Sequence, residues 1–215
     1  STNKVYGDRP NMIPLKEETK RWEFNDPRYA NGIAETLDID QSTHSLFGVS
    51  KASADLMVQE YGRYFGMQTC CLRAGCLTGA AHSGVKLHGF LNYIVRCAVK
   101  GEPYTIIGYK GKQVRDNLDA SDIASFVECF SANPRPAAVY NIGGGKGNSC
   151  SVLEAVELIE SILGRKMDVS YEEMPRVGDH ICYYSDLSHL KSDYPNWSVR
   201  KGLRDIVADI IEAIS

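Results

Sequence analysis

The sequence lacks nearly every feature that would assign it to a special class. No apolar run approaches the roughly 20 residues needed to cross a bilayer, and nothing near the start has the charged-then-apolar pattern of a secretory signal. Neither sign of charge dominates. The 24 Lys and Arg stand against 27 Asp and Glu, for a net charge of -3, which leaves no electrostatic footprint for nucleic acid. There is no internal repeat, no low-complexity segment and no clear linker. Seven cysteines are present, but none forms a C-x-x-C and none has finger-like spacing with histidines nearby, which argues against zinc or any other metal. Their odd count and apolar surroundings read as reduced thiols of a cytoplasmic protein. No G-x-G-x-x-G occurs. Gly143-Gly144-Gly145-Lys146-Gly147 runs on into Asn148-Ser149 without completing a P-loop, so it reads as a strand-to-helix turn.

What is present is an alternation of helical and strand patterns over 215 residues, enough for one large domain or two small ones. Residues 8–43 are polar and weakly periodic, and read as a long surface excursion. A helix is predicted over about 46–65, with Ser42, Thr43 or Ser45 as N-cap and Gly66 as C-cap. A short buried strand follows over 67–73, then a small-residue loop at 74–79, at the strand end where open α/β sheets place ligands. Further helices are predicted over 85–100, 120–130, 151–163 and 199–214. Strands are predicted over 104–108 and 137–145, with an edge strand over 165–171. Residues 111–116 read as a polar segment with clustered cations, and 175–180 as a loop. The rhythm is that of an α/β fold.

Five short stretches carry chemistry only when taken together. Ser1-Thr2-Asn3-Lys4-Val5-Tyr6-Gly7 resembles the S-[ST]-x-x-V-Y-G segment of the extended short-chain dehydrogenase/reductase family. Phe47-Gly48-Val49-Ser50-Lys51 resembles its Y-x-x-x-K helix start. Gly111-Lys112-Gln113-Val114-Arg115-Asp116-Asn117 with Asp122 resembles the G-x-x-x-R-D…D segment of the nucleotide-sugar branch, the NAD-dependent epimerases and dehydratases. Val139-Tyr140-Asn141-Ile142-Gly143-Gly144 resembles the family's late strand. Pro175-Arg176-Val177-Gly178-Asp179 with Asp186 resembles its R-x-G-D…D segment. Each match is weak alone; five in one order over the whole chain are specific.

The resemblance implies the carboxyl-terminal part of a Rossmann-type NAD-binding domain, interleaved with a small α/β substrate-binding domain. Residues 1–75 and 120–145 would belong to the first, 76–119 and 146–215 to the second. It implies an isomerase that epimerises a nucleotide-diphosphate sugar through a transient keto-sugar, with NAD carrying the hydride. Thr2 would hydrogen-bond the reacting sugar oxygen, and Lys51 would hold the nicotinamide ribose, with Ala74 and Cys76 beside the cofactor. Asn3, His88, Arg115 and Arg176 would bind substrate, the two arginines on the diphosphate through their planar forks. Taken singly, each arginine is as readily a surface ion pair, with Asp116 and Asp179 as ready partners. Related dehydratases place an acid pair where Asn3 and Lys4 stand, which favours epimerisation over dehydration. The 46–65 helix would form a homodimer interface. The glycine-rich NAD loop that precedes the Ser1–Gly7 segment in the family has no counterpart here, so the chain is expected to be a fragment, inactive alone. Phe47 departs from the pattern. It stands where the family has its tyrosine base and carries no ionisable proton. Three accounts stay open: Tyr6, Ser45, His44 or His88 serves instead; Lys51 acts directly with its pKa lowered by burial; or catalysis is reduced or lost.

Overall fold

A computed structural model describes residues 1–215 except 83, 85–88 and 176–177. Ten strands and six α-helices are described, besides short 3-10 turns. They begin with a hairpin, β1 (Leu15–Glu17) and β2 (Trp22–Phe24), paired antiparallel. The hairpin adds two short strands to the stretch 8–43, which reads from the sequence as a long surface excursion. Its strands have three residues each, too short to show periodicity, yet Phe24 and Ile33 are buried with Tyr6, Val114 and Tyr184 in one apolar cluster.

Helix α1 (Leu46–Phe65) follows as predicted. The Ser45 hydroxyl accepts the Gly48 N–H at 3.0 Å and so caps one of the free donors of the first turn. Gly66 ends the helix at φ 62°, the left-handed position glycine takes without steric cost. Strand β3 (Cys70–Ala74) pairs in parallel with β7 (Ala138–Ile142). After Gly75 the chain crosses to a second sheet as β4 (Cys76–Thr78), which corrects the expected loop at 74–79. β4 pairs in parallel with β6 (Val114–Asp119), which also pairs with β8 (Ser149–Ser151) and β10 (Cys182–Tyr183). A third ladder joins β5 (Tyr104–Ile107) to β9 (Val169–Glu172). The parallel pairings and flanking helices make this an α/β fold.

β6 also differs from expectation, because 111–116 read as a polar segment. Its polar residues are buried and bonded. Asp116 Oδ2 accepts the N–H groups of Gly145 (3.2 Å) and Ser185 (3.0 Å), and Asp119 accepts that of Ser121 (2.9 Å). Asp119 thereby caps α3 (Ala120–Ala132). The triple-glycine turn after β7 is packed shut against Asp116. A Cβ on Gly143 would lie 2.0 Å from its Oδ2, and one on Gly75 would lie 2.3 Å from its Oδ1. It is a close-approach turn that leaves no cradle for phosphate.

Helices α2 (Phe90–Lys100), α4 (Val152–Leu163) and α6 (Leu203–Ile214) enclose one core around Ile94, Ile106, Ile159 and Ile210. The short helix α5 (Ser188–Asp193) helps form another, where Phe126 makes edge-on ring contacts with Tyr140, Tyr194 and Trp197. All seven cysteines are free.

Candidate active site

The end of β3, the start of α1 and the face of β6 meet at a cleft of about 820 Å³. Thr2, Asn3, Phe47, Ala74, Cys76 and Arg115 all line it, joined by Lys4, Ser45 and Asp179. Four stretches separated by up to 113 positions (115 − 2) in the sequence are thus brought to one place. His88 and Arg176 lie outside the described residues. A shallower groove of about 680 Å³ runs along β7, beside Glu35, His189 and Asp193, and contains none of the predicted site residues.

Thr2 opens the tight turn Asn3–Tyr6, its Oγ1 accepting the Lys4 N–H at 3.3 Å. Phe47 is 55% exposed, one turn before Lys51 on α1. The Lys51 Nζ lies 5.6 Å from the centre of the Phe47 ring, within cation–π range. Lys51 itself is exposed, not buried, and is not among the residues that line the cleft.

Three groups offered as substitute bases are engaged elsewhere. Tyr6 is fully buried. Its hydroxyl donates to Asn141 Oδ1 at 2.7 Å and accepts from Arg73 Nη1 at 3.2 Å. Burial pushes its pKa up to about 12 in spite of Arg73, which is wrong in direction and place for a base. His44 turns both ring nitrogens to backbone carbonyls, Nε2 to Val5 at 2.8 Å and Nδ1 to Ser42 at 3.0 Å. Ser45 is the cap of α1.

Arg115 reaches the cleft with its guanidinium already engaged, donating to the carbonyls of Val114 and His180 and to Asp179 Oδ1. Of the two ion-pair partners read from the sequence, Asp179 is the one it meets. Lys4 completes the group, its Nζ donating to the Gly178 carbonyl at 2.9 Å and lying 3.7 Å from Asp179 Oδ1. Burial alone would raise Asp179; Arg115 and then Lys4 overcome it and hold the carboxyl at about 2. Burial, then Arg115, push the Lys4 ammonium below its ordinary value, against Asp179. Burial likewise lowers His180, whose Nε2 meets the Gly7 carbonyl at 2.9 Å. Cys76 is pushed by burial up to about 11, so it stays a thiol at neutral pH. Sequence reasoning gave Lys4 no role of its own, although its place two residues after Thr2 was a usable signal.

The model of the NAD dependent epimerase/dehydratase family matches residues 1–143. The chain belongs to that family. It is 31% identical over 213 residues to the CDP-paratose 2-epimerase of Salmonella typhi, covering 95% of this chain and 60% of that one. It is 29% identical over 212 residues to UDP-arabinose 4-epimerase 1 of Arabidopsis thaliana, covering 93% of this chain and 46% of that one. Among solved structures it resembles the NAD complex of a dTDP-glucose 4,6-dehydratase from Bacillus anthracis. That match has a TM-score of 0.76 at 24% identity and covers 99% of this chain and 59% of that one. The fold is therefore that of the family's Rossmann-type enzymes, and the chain spans about half to three-fifths of the length of these relatives. Among the described residues, no helix is long and apolar enough to cross a membrane.

Proposed function

We propose that the full-length protein is a cytoplasmic, NAD-dependent epimerase of nucleotide-diphosphate sugars, with a substrate resembling that of CDP-paratose 2-epimerase. The observation that carries this reading is the convergence of Thr2, Phe47 and Arg115 on one cleft large enough for a sugar nucleotide. When bound, NAD supplies the hydride acceptor and donor. The exposed Lys51 ammonium fits a ribose hydroxyl, and Ala74 at the end of β3 and Cys76 at the start of β4 fit the flat nicotinamide edge. The described residues offer no glycine-rich cradle for the cofactor's diphosphate, the 143–145 turn being filled by Asp116. Residues 1–75 with 120–145 would form the cofactor half, and 76–119 with 146–215 the sugar-nucleotide half. Thr2 orients the reacting hydroxyl, while Asn3 and His88 add donors around the sugar. Arg115 and Arg176 take the diphosphate, which competes with Asp179 for the Arg115 fork. Asn3 and Lys4 leave no acid pair for dehydration.

A UDP-hexose 4-epimerase-like activity shares every one of these features. A second reading, a sugar-nucleotide-binding protein without turnover, is favoured by Phe47 alone. The test is calorimetric titration of this chain with CDP and UDP. Saturable binding, weakened about tenfold or more by Arg115→Met through loss of a charge-assisted fork, is expected. Absence of binding by either nucleotide contradicts both readings.

A further inference from the structure

When a carbinol carbon gives its hydride to a nicotinamide, its hydroxyl must lose a proton, and phenylalanine cannot take it. Of the substitutes read from the sequence, the three among the described residues are bonded elsewhere: Tyr6 to Asn141 and Arg73, His44 to two carbonyls, Ser45 to the first turn of α1. Lys4 differs from them. It shares the cleft lining with Phe47 and Thr2, and the Thr2 hydroxyl accepts its backbone N–H. Its ammonium makes one good hydrogen bond, to the Gly178 carbonyl at 2.9 Å, and leaves Asp179 at a loose 3.7 Å, so donor positions remain for a ligand.

We propose that Lys4 exchanges the sugar hydroxyl proton in this cleft, in the role that Phe47 cannot fill. The inference rests on the reading of the cleft as a nucleotide-sugar site. In the forward step the neutral Lys4 amine takes the hydroxyl proton on its lone pair. The carbon–hydrogen bond breaks at the same carbon, its hydride passing to an oxidised nicotinamide cofactor, and the carbon becomes a carbonyl. In the return step hydride comes back to the other face of that carbon, and the Lys4 ammonium gives its proton to the oxygen. Nothing is consumed and the cofactor ends as it began. The charged and titratable groups around Lys4 come from every side: Arg115 of β6, Asp179 and His180 of the 178–180 loop, Cys76 of β4 and Asp8 after the first turn. Burial and Arg115 favour the neutral amine and Asp179 opposes them.

Two measurements test the proposal. In the first, lysine side-chain nitrogen NMR of this chain follows the Lys4 amine against pH, assigned by its loss in Lys4→Arg. Lys4 is expected to release its proton at lower pH than the other lysines; an ammonium that stays charged as long as they do overturns the proposal without touching the reading of the cleft. In the second, full-length protein is assayed for turnover. Lys4→Arg keeps the cation and its pairing with Asp179 but cannot give up a proton at working pH. It is expected to bind CDP or UDP as before and to lose about 100-fold or more in kcat, the scale of general-base catalysis. Phe47→Tyr in that background is expected to recover at least about tenfold by returning a proton donor to the site. Turnover within about threefold of the parent in Lys4→Arg, loss of nucleotide binding along with activity, or full dependence on His88 in a His88→Gln variant overturns it.

Discussion

At the residue scale, Asp116 ties the strands of the site together. Its carboxylate is fully buried, latches the 143–145 turn and the end of β10 to β6, and keeps Gly75 and Gly143 within contact distance. Burial pushes its pKa up to about 6, although the Ser185 and Gly145 N–H groups pull the other way. A folded pKa raised above the unfolded value of 3.8 means the latch stabilises most below about pH 4 and loses that contribution as pH rises through 6. The lift corresponds to about 3 kcal/mol. In urea titrations, the stability difference between the parent and Asp116→Asn is expected to shift by about 2–3 kcal/mol in favour of the variant between pH 4 and 7. A constant difference would say that Asp116 titrates normally. Tyr6→Phe is expected to cost about 1–3 kcal/mol, since Asn141 and Arg73 each lose a buried partner. Urea unfolding of that variant at fixed pH checks it. Thr2, Phe47 and Arg115 were legible in the sequence because order fixes them even where spacing does not. The environment of Lys4 was not, because Arg115 and Asp179 approach it from more than a hundred residues away.

At the scale of elements, α1 is the part most fully written in the sequence. Its period, its Ser45 cap and its Gly66 end are all local features. Two substitutions separate the two ends. Ser45→Ala removes a cap worth about 1 kcal/mol. Gly66→Ala meets no atom within 4 Å, so its cost of about 1–2 kcal/mol would come from the left-handed backbone alone. Shifts in urea midpoint of that size with an unchanged slope are expected; no loss in Gly66→Ala would mean the helix end relaxes. Strands β4 and β6 were the elements least legible. Arg115, Asp116 and Asn117 look like a surface run, and only tertiary donors such as the Gly145 and Ser185 N–H groups make them tolerable inside a sheet. The β1–β2 hairpin was missed for a different reason, strands of three residues being too short for alternation to register.

At the scale of the whole molecule, α1 carries an unusual load of exposed apolar side chains. Leu46 is 92% exposed, Tyr64 80% and Phe65 70%. We propose that this face makes a homodimer contact in the full-length protein, and Tyr64→Glu is expected to shift its sedimentation from dimer to monomer. A full-length protein that is monomeric to begin with contradicts the assignment. Residues 1–215 hold no G-x-G-x-x-G segment, so calorimetry of this chain with NAD is expected to give a Kd weaker than micromolar; micromolar binding would mean the cofactor is held in another way. The most direct test of the account is chromatography of full-length protein incubated with NAD and a panel of CDP- and UDP-sugars. The account predicts that at least one sugar nucleotide is converted to its epimer without net loss of water or net change in NAD. Intact substrate throughout, with nucleotide binding retained, would contradict it and leave a binding protein in the same fold.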